Sequence, residues 1–305
     1  AGSYPLIGGS LDVSTDFTPD LVIVKGRDAA TGWVVGDSLR GNYGYIYLNS
    51  TGASGSACGG YGSNPCSGAN ENGGIGIGTN KFIVKDDASG NYGVSGPGTL
   101  YQALAWRAGG TPTATNSGGQ TPTAGSKMID GSSDTTNFAT ATNYPEKQTI
   151  NTTLDFSMTL WTAGGAMEFP HGLSGTPDFM FIKGVSATED WYVYHNAIGT
   201  GKYLSLTRND GGSGAGTDGE QINANIFSTV NSTVVATQIT GTSLSYVCYA
   251  WKNVAGFSKF GNYNGNGSTN GPIVETGFEP AIIIIKRYDT NGNNWISFNN
   301  ASSTS

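Results

Sequence analysis

The side chains able to do chemistry in this chain are few and scattered. Its only histidines are His171, in Pro170-His-Gly172, and His195, which ends Trp191-Tyr-Val-Tyr-His195. A hydrolytic triad would need Ser, His and Asp within hydrogen-bond reach, and no nucleophile elbow between a strand and a helix is visible. Both histidines are expected to satisfy backbone groups or face solvent. Paired carboxylates could run glycoside hydrolysis, and the pairs are Asp86 with Asp87, Asp130 with Asp134, and Asp218 with Glu220. All lie in Gly/Ser/Asn-rich turn sequence, where Asp is favoured for bonding its own backbone. No catalytic residue is assigned. The same loops offer oxygen ligands, and Asp210, Asp218 and Glu220 are the candidate set for Ca2+, without the EF-hand spacing of carboxylates. No Cys/His spacing fits zinc, and no other cofactor is expected.

Two further groups of residues stand out. Cys58 and Cys66 bracket a Gly-rich loop that can close as a disulfide, stabilising the fold by roughly 2–3 kcal/mol in the chain-entropy picture. Cys248 reads instead as a small buried hydrophobe. Tyr43, Tyr45, Tyr61, Tyr92 and Tyr263 are expected in loops among Gly, Ser and Asn. That is the composition of contact surfaces, so these tyrosines are the binding candidates. The five Asn-x-Ser/Thr sequons, at Asn49, Asn151, Asn231, Asn266 and Asn300, carry meaning only in a host that glycosylates.

The elements that must position these residues are announced by a repeat. Pro19 to Lys25 is followed by Trp33, Pro177 to Lys183 by Trp191, and Pro280 to Lys286 by Trp295. Pro and Lys are six apart each time, and Lys and Trp eight, eight and nine. Each copy predicts an apolar strand, a turn and a returning strand. The third turn contains Asn291-Gly292, a strong hairpin signal. Copies one and two continue through Tyr47-Leu48 and Tyr203-Leu204, a Gly-rich excursion and another strand, then close on Ala105-Trp-Arg107 and Ala250-Trp-Lys252. Such spacing means an array of like β-modules, each about ninety to one hundred residues. The predicted organisation is one β-sandwich over 1–108, a Thr/Gly/Ser-rich linker or insertion over 109–147, a second sandwich over 148–255, and an incomplete third over 256–305. The fold class is all-β, in tandem jelly-roll or lectin-like sandwiches.

Within these modules the three tryptophans are expected as core filler rather than sugar platforms. The recurrent lysines are expected to lay their stems over the core edge. Four consecutive isoleucines, Ile282–Ile285, predict a strand between two layers. Because the third copy stops after its first hairpin, its apolar face needs further chain or a partner's strands. Ile282, Ile284 and Trp295 are therefore candidate subunit contacts.

Charged residues are only 12% of the chain and the net charge is −7. Nucleic-acid binding needs clustered Lys and Arg, and none is present. No apolar run approaches the ~20 residues of a bilayer-spanning helix, so membrane insertion is not expected.

Asp190-Trp-Tyr-Val-Tyr-His195 with Lys202-Tyr-Leu, the stretch Gly256-Phe-Ser-Lys-Phe-Gly-Asn-Tyr-Asn-Gly-Asn-Gly-Ser268, and Gly271 to Pro280 before the Ile run resemble a repeat family of tail-fibre-like virion proteins. That family occurs in tailed bacteriophages of marine bacteria. The likeness is close from about Gly164 to Phe298 and looser over the first module; the stretch after Arg107 departs from it. What the resemblance implies is a non-enzymatic structural or adhesive component on a virion surface, extracellular-facing. Its partners would be copies of itself (a trimer or filament), other virion proteins, and a host glycan or protein. A second reading is a secreted or cell-surface filament subunit assembled by strand complementation. A third is a polysaccharide-active hydrolase.

Overall fold

The computed structural model describes residues 10–28, 30–41, 44–53, 55–56, 74–85, 94–96, 98–139, 141–164, 167–199, 202–207, 209, 227, 229–237 and 242–300. Among these the fold is all-β, with a single 3-10 turn at Asn196–Ile198. No helix among the described residues is long and apolar enough to cross a membrane.

The first repeat supplies β1 (Ser10–Ser14), β2 (Leu21–Gly26), β3 (Trp33–Asp37), β4 (Gly44–Tyr47), β5 (Gly55–Ser56), β6 (Gly74–Gly78), β7 (Lys81–Lys85) and β8 (Tyr101–Trp106). They form a five-stranded sheet, β5-β4-β3-β2-β8, and a three-stranded sheet, β1-β7-β6. Val22, Val24 and Val34 from the first meet Ile75, Phe82 and Val84 from the second in a buried layer. Burial alternates along β7, as one apolar face per strand requires. Gly36 on β3 allows the sheets to come this close, since a Cβ there would lie 2.6 Å from Cβ of Ile75.

Residues 109–147 hold β9 (Lys127–Ile129) and β10 (Ser132–Ser133), which extend the second repeat's sheet at its edge. That repeat contains β11 (Lys147–Asn151), β12 (Phe156–Gly164), β13 (Met167–Pro170), β14 (Phe179–Gly184), β15 (Trp191–His195), β16 (Leu204–Ser205), β17 (Thr229–Val230), β18 (Val234–Thr237) and β19 (Thr242–Trp251). Its large sheet runs β10-β9-β11-β12-β19-β14-β15-β16, and its small one β13-β18-β17. The order repeats that of module one: β14 lies between its hairpin partner β15 and the closing strand β19, as β2 lies between β3 and β8. Trp161, Met180, Ile182 and Tyr246 of the large sheet pack against Phe169 and Val235 of the small one.

The remaining core lies between the modules. The other faces of the two large sheets pack on each other, with Leu21, Ile23, Val35 and Ile46 against Met158, Phe181, Trp191 and Tyr249. This explains why β2 and β14 read as unbroken apolar runs: Leu21–Val24 and all of β14 are buried on both faces.

Among the described residues the third copy forms β20 (Ile282–Ile285) and β21 (Ile296–Asn299), a two-stranded hairpin. The expectation that its isoleucines lie between two layers does not hold, because Ile283 and Ile284 are 43% and 49% exposed. In modules one and two the equivalent positions are covered by the closing strand and the small sheet. No described strand plays either part for β20.

Candidate functional site: the junctions between repeats

Both histidines bond backbone groups, as expected. His171 is buried; its Nε2 lies 2.8 Å from the carbonyl oxygen of Asn231, and its Nδ1 accepts from the N–H of Leu173 at 3.1 Å. Burial pulls its pKa down to about 4. His195 Nδ1 accepts from the N–H of Ala197 and caps the 3-10 turn. Asp130 accepts from the N–H and hydroxyl of Thr152, and Asp134 pairs with Lys127 at 2.6 Å. Cys248 is buried, and burial raises its thiol pKa.

Among the described residues no three His, Cys, Asp or Glu side chains gather as a metal set. Asp86, Asp87, Asp210, Asp218, Glu220, Cys58, Cys66, Tyr43, Tyr61 and Tyr92 lie outside the described residues. Tyr45, expected in a loop, falls on β4, half-buried against the module-one core with its ring 5.6 Å from that of Tyr47. Tyr263 is exposed, in chain without regular secondary structure before the third hairpin.

What recurs among the described residues is a set of junction contacts built from the repeat signature. In each hairpin the lysine reaches across to a carbonyl two residues before the tryptophan. Lys25 Nζ donates to the oxygen of Thr31 at 2.9 Å, Lys183 to Glu189 at 2.5 Å and Lys286 to Asn293 at 2.5 Å. A stem laid over the core edge is therefore not its main role: the ammonium closes the turn. Lys183 is fully buried and also donates to the oxygen of Thr51 in module one at 2.8 Å. Burial brings its pKa down to about 8.

Each later hairpin docks on the preceding module in the same way. The indole N–H of Trp191 donates to the oxygen of Tyr47 at 2.9 Å, and the N–H of Glu189 to the oxygen of Thr51 at 2.9 Å. In the next copy Trp295 donates to Ser205 at 2.7 Å, and Asn293 N–H to Asn209 at 3.1 Å. These acceptors match: Tyr47 pairs with Val34, one residue after Trp33, and Ser205 pairs with Tyr192, one after Trp191. Thr51 and Asn209 each lie four residues further on. Trp295, a candidate subunit contact, is thus engaged by module two of its own chain. Trp33, Trp295 and Tyr288 all pack on the shared core that fully buries Trp191.

A third kind of contact makes the arrangement cyclic. Asp37, at the end of β3, accepts from the hydroxyl of Tyr249 on the closing strand of module two at 2.5 Å. Asn299, the equivalent residue of β21, donates to Gln102 on the closing strand of module one. Repeat one thus contacts two, two contacts three, and three returns to one. Asp37 also takes the Arg40 guanidinium at 2.7 Å, with both side chains almost fully buried. Burial alone would lower the Arg40 pKa, but the Asp37 carboxylate reverses the effect and raises it. The Tyr249 hydroxyl is pushed well up by burial and by Asp37.

In the first two copies the Asp after the strand-opening proline clamps its module shut. Asp20 accepts from Ser38 Oγ at 2.9 Å and from the N–H of Ala108 at 2.8 Å. Asp178 accepts from Asn196 Nδ2 at 2.5 Å and from the N–H of Asn253 at 2.7 Å. In both modules the carboxylate ties the hairpin's end to the residue two past the closing-strand tryptophan. The third copy has Ala281 at this position. Recurrence of Pro-Asp in two copies was a signal in the sequence for this clamp. The Asp37–Arg40–Tyr249 cluster had none, because its members are 3 and 212 residues apart.

The family model described as Domain of unknown function (DUF7483) matches residues 8–305, and the chain belongs to that family. No curated protein and no solved structure matches it.

Proposed function

We propose that this member of the DUF7483 family is a non-enzymatic structural and adhesive subunit of a phage virion, a tail fibre or appendage that carries loops to the host surface. The observation that supports an architectural role is the recurrence of one docking geometry at successive junctions, Trp191 on Tyr47 and Trp295 on Ser205. Repeated contacts of this kind serve rigid spacing, because an indole packed on a core and bonded to a carbonyl restrains both distance and rotation. The histidines and the Asp130 and Asp134 carboxylates are engaged in holding backbone and turns. The virion setting comes from the resemblance of residues 164–298 to tail-fibre-like repeats. Host glycan or protein would be met by exposed aromatics such as Tyr263, and copies of the chain would assemble as a trimer or filament.

A second reading, a secreted or surface filament subunit assembled by strand complementation, is favoured by the exposed β20–β21 hairpin. Negative-stain imaging of native particles with an antibody against this chain separates the two. Label on fibres projecting from virions supports the first, and label on free filaments supports the second. Release of reducing sugar from host polysaccharide by the purified chain would overturn both.

A further inference from the structure

Asparagine followed by glycine is chemically labile, because glycine has no side chain to keep its own backbone nitrogen from the preceding carboxamide. The nitrogen attacks Cγ, ammonia leaves, and water then opens the cyclic imide to aspartate or isoaspartate. The isoaspartyl product carries the backbone through the side chain, one atom longer than before. Asn-Gly pairs occur at Asn72, Asn264, Asn266, Asn270 and Asn291, and Asn72 lies outside the described residues. The other four differ in what holds them. Asn264-Gly265 and Asn270-Gly271 are exposed, in chain without regular secondary structure, and among the described residues nothing accepts from the N–H of either glycine. Asn266 has its carboxamide held, Oδ1 accepting from the N–H of Ser268 at 3.0 Å and Nδ2 donating to the oxygen of Asn270 at 2.9 Å.

Asn291-Gly292, in the turn between β20 and β21, is equally exposed but pinned at both ends of its peptide bond. The N–H of Gly292 donates to the oxygen of Asn209 in module two at 2.9 Å, and the N–H of Asn293 donates to the same oxygen at 3.1 Å. The oxygen of Asn291 accepts from Thr290 Oγ1 at 3.0 Å and from Asn293 Nδ2 at 3.1 Å. The nitrogen that would attack is therefore committed to the junction. To reach Cγ of Asn291 it must give up its bond to Asn209, and the peptide plane must turn.

We propose that Asn291-Gly292 is a self-modification site gated by the docking of the third hairpin on module two. Docked, the pair is protected. When the hairpin leaves Asn209, the Gly292 nitrogen closes on the Asn291 carboxamide with loss of ammonia, and water opens the imide mainly to isoaspartate. While the imide lasts, Gly292 has no N–H to offer Asn209. After it opens, a lengthened turn must still bring Gly292 and Asn293 to one oxygen and keep Lys286 Nζ on the oxygen of Asn293, so redocking is weakened. Undocking thus leaves a covalent mark and becomes one-way. Asn264 and Asn270 have no such lock and react at the rate of free chain. The inference stands on the junction geometry alone and is independent of the virion setting.

The full chain is incubated in mildly alkaline buffer and sampled over time by tryptic mass mapping with enzymatic isoaspartate detection. Cleavage after Lys259, Lys286 and Arg287 separates Asn264, Asn266 and Asn270 from Asn291. Asn264 and Asn270 are expected to convert first, and Asn291 roughly tenfold more slowly or less, in proportion to the population of undocked hairpin. A synthetic peptide of residues 287–298 should convert at the rate of Asn264. Trp295→Ala removes the indole bond to Ser205 and should bring Asn291 toward the peptide's rate, with Asn264 unchanged as the internal clock. Slow exchange of the Trp191 indole in that variant shows that the first junction is still folded. The proposal is overturned if Asn291 keeps pace with Asn264 in the parent chain, or if the free peptide is as slow as the chain, which would place the protection in the local sequence. It is also overturned if Trp295→Ala leaves the Asn291 rate where it was.

Discussion

Replacing Asp37 by Asn perturbs the buried cluster that joins the first two repeats. The carboxylate accepts four bonds: the N–H groups of Leu39 at 3.0 Å and Arg40 at 2.9 Å, Arg40 Nε at 2.7 Å and the Tyr249 hydroxyl at 2.5 Å. An amide keeps one acceptor, turns N–H groups toward donors, and leaves the Arg40 guanidinium buried with no countercharge at that point. Removing one partner of a buried ion pair costs about 3–5 kcal/mol, chiefly because the other charge stays desolvated. Tyr249→Phe removes one hydroxyl bond to a charged acceptor and should cost about 1.5–3 kcal/mol. The double variant should fall short of the sum by at least ~0.5 kcal/mol, since the hydroxyl loses its charged partner in either background. Urea titration reads these as shifts of midpoint at constant slope. A cost below ~1 kcal/mol for Asp37→Asn, or strict additivity with Tyr249→Phe, would refute the cluster as the polar lock of the junction.

Acidification should act through His171. Its pKa is about 4 when folded against an ordinary 6.5, so the unfolded chain binds the proton first. The stability this residue contributes is complete above pH 6.5 and is lost as pH falls toward 4, about 3 kcal/mol in all. Comparison of urea midpoints between the parent and His171→Gln at pH 7, 5 and 4 isolates the effect; parallel pH slopes would contradict it. Gly36→Ala should destabilise the first module by about 1–3 kcal/mol, because the new methyl meets the stiff β-branched side chain of Ile75 at 2.6 Å. Its midpoint in the same titration checks this, and a neutral result would mean that the two sheets can part at no cost.

The local parts of this fold were legible in the chain. Three hairpins follow from the apolar runs ending at Lys25, Lys183 and Lys286, because strand period and turn chemistry are short-range properties. The tryptophans were legible as core. What they pack against was not, because the shared core joins Ile23 to Phe181 and nothing in either segment encodes the other. An unbroken apolar strand implies cover on both faces without naming the cover. For that reason Leu21–Val24 and Phe179–Ile182 fit the expectation, while Ile282–Ile285 carries the same signature with no closing strand or small sheet beside it among the described residues. The lysines were read as stems over a surface because an apolar strand ending in Lys gives no sign of an acceptor. The acceptors, at Thr31, Glu189 and Asn293, are backbone carbonyls, which any residue can supply. Of the candidate site, the Pro-Asp clamp was missed although the repeated dipeptide carried its signal, and Tyr45 was misplaced because its Gly-Asn-Tyr-Gly surroundings read as a loop.

The measurement that bears most directly on docked repeats is hydrogen exchange at the six tryptophan indoles, resolved by 15N–1H spectra of the full chain. The Trp191 indole, buried and bonded to Tyr47, should exchange only on global unfolding. Trp295, bonded to Ser205, should be slowed relative to Trp33, which is half-buried and has no acceptor for its indole among the described residues. Exchange of Trp191 and Trp295 at the rate of an exposed indole would mean that the repeats fold side by side without docking, and the shared core would not exist.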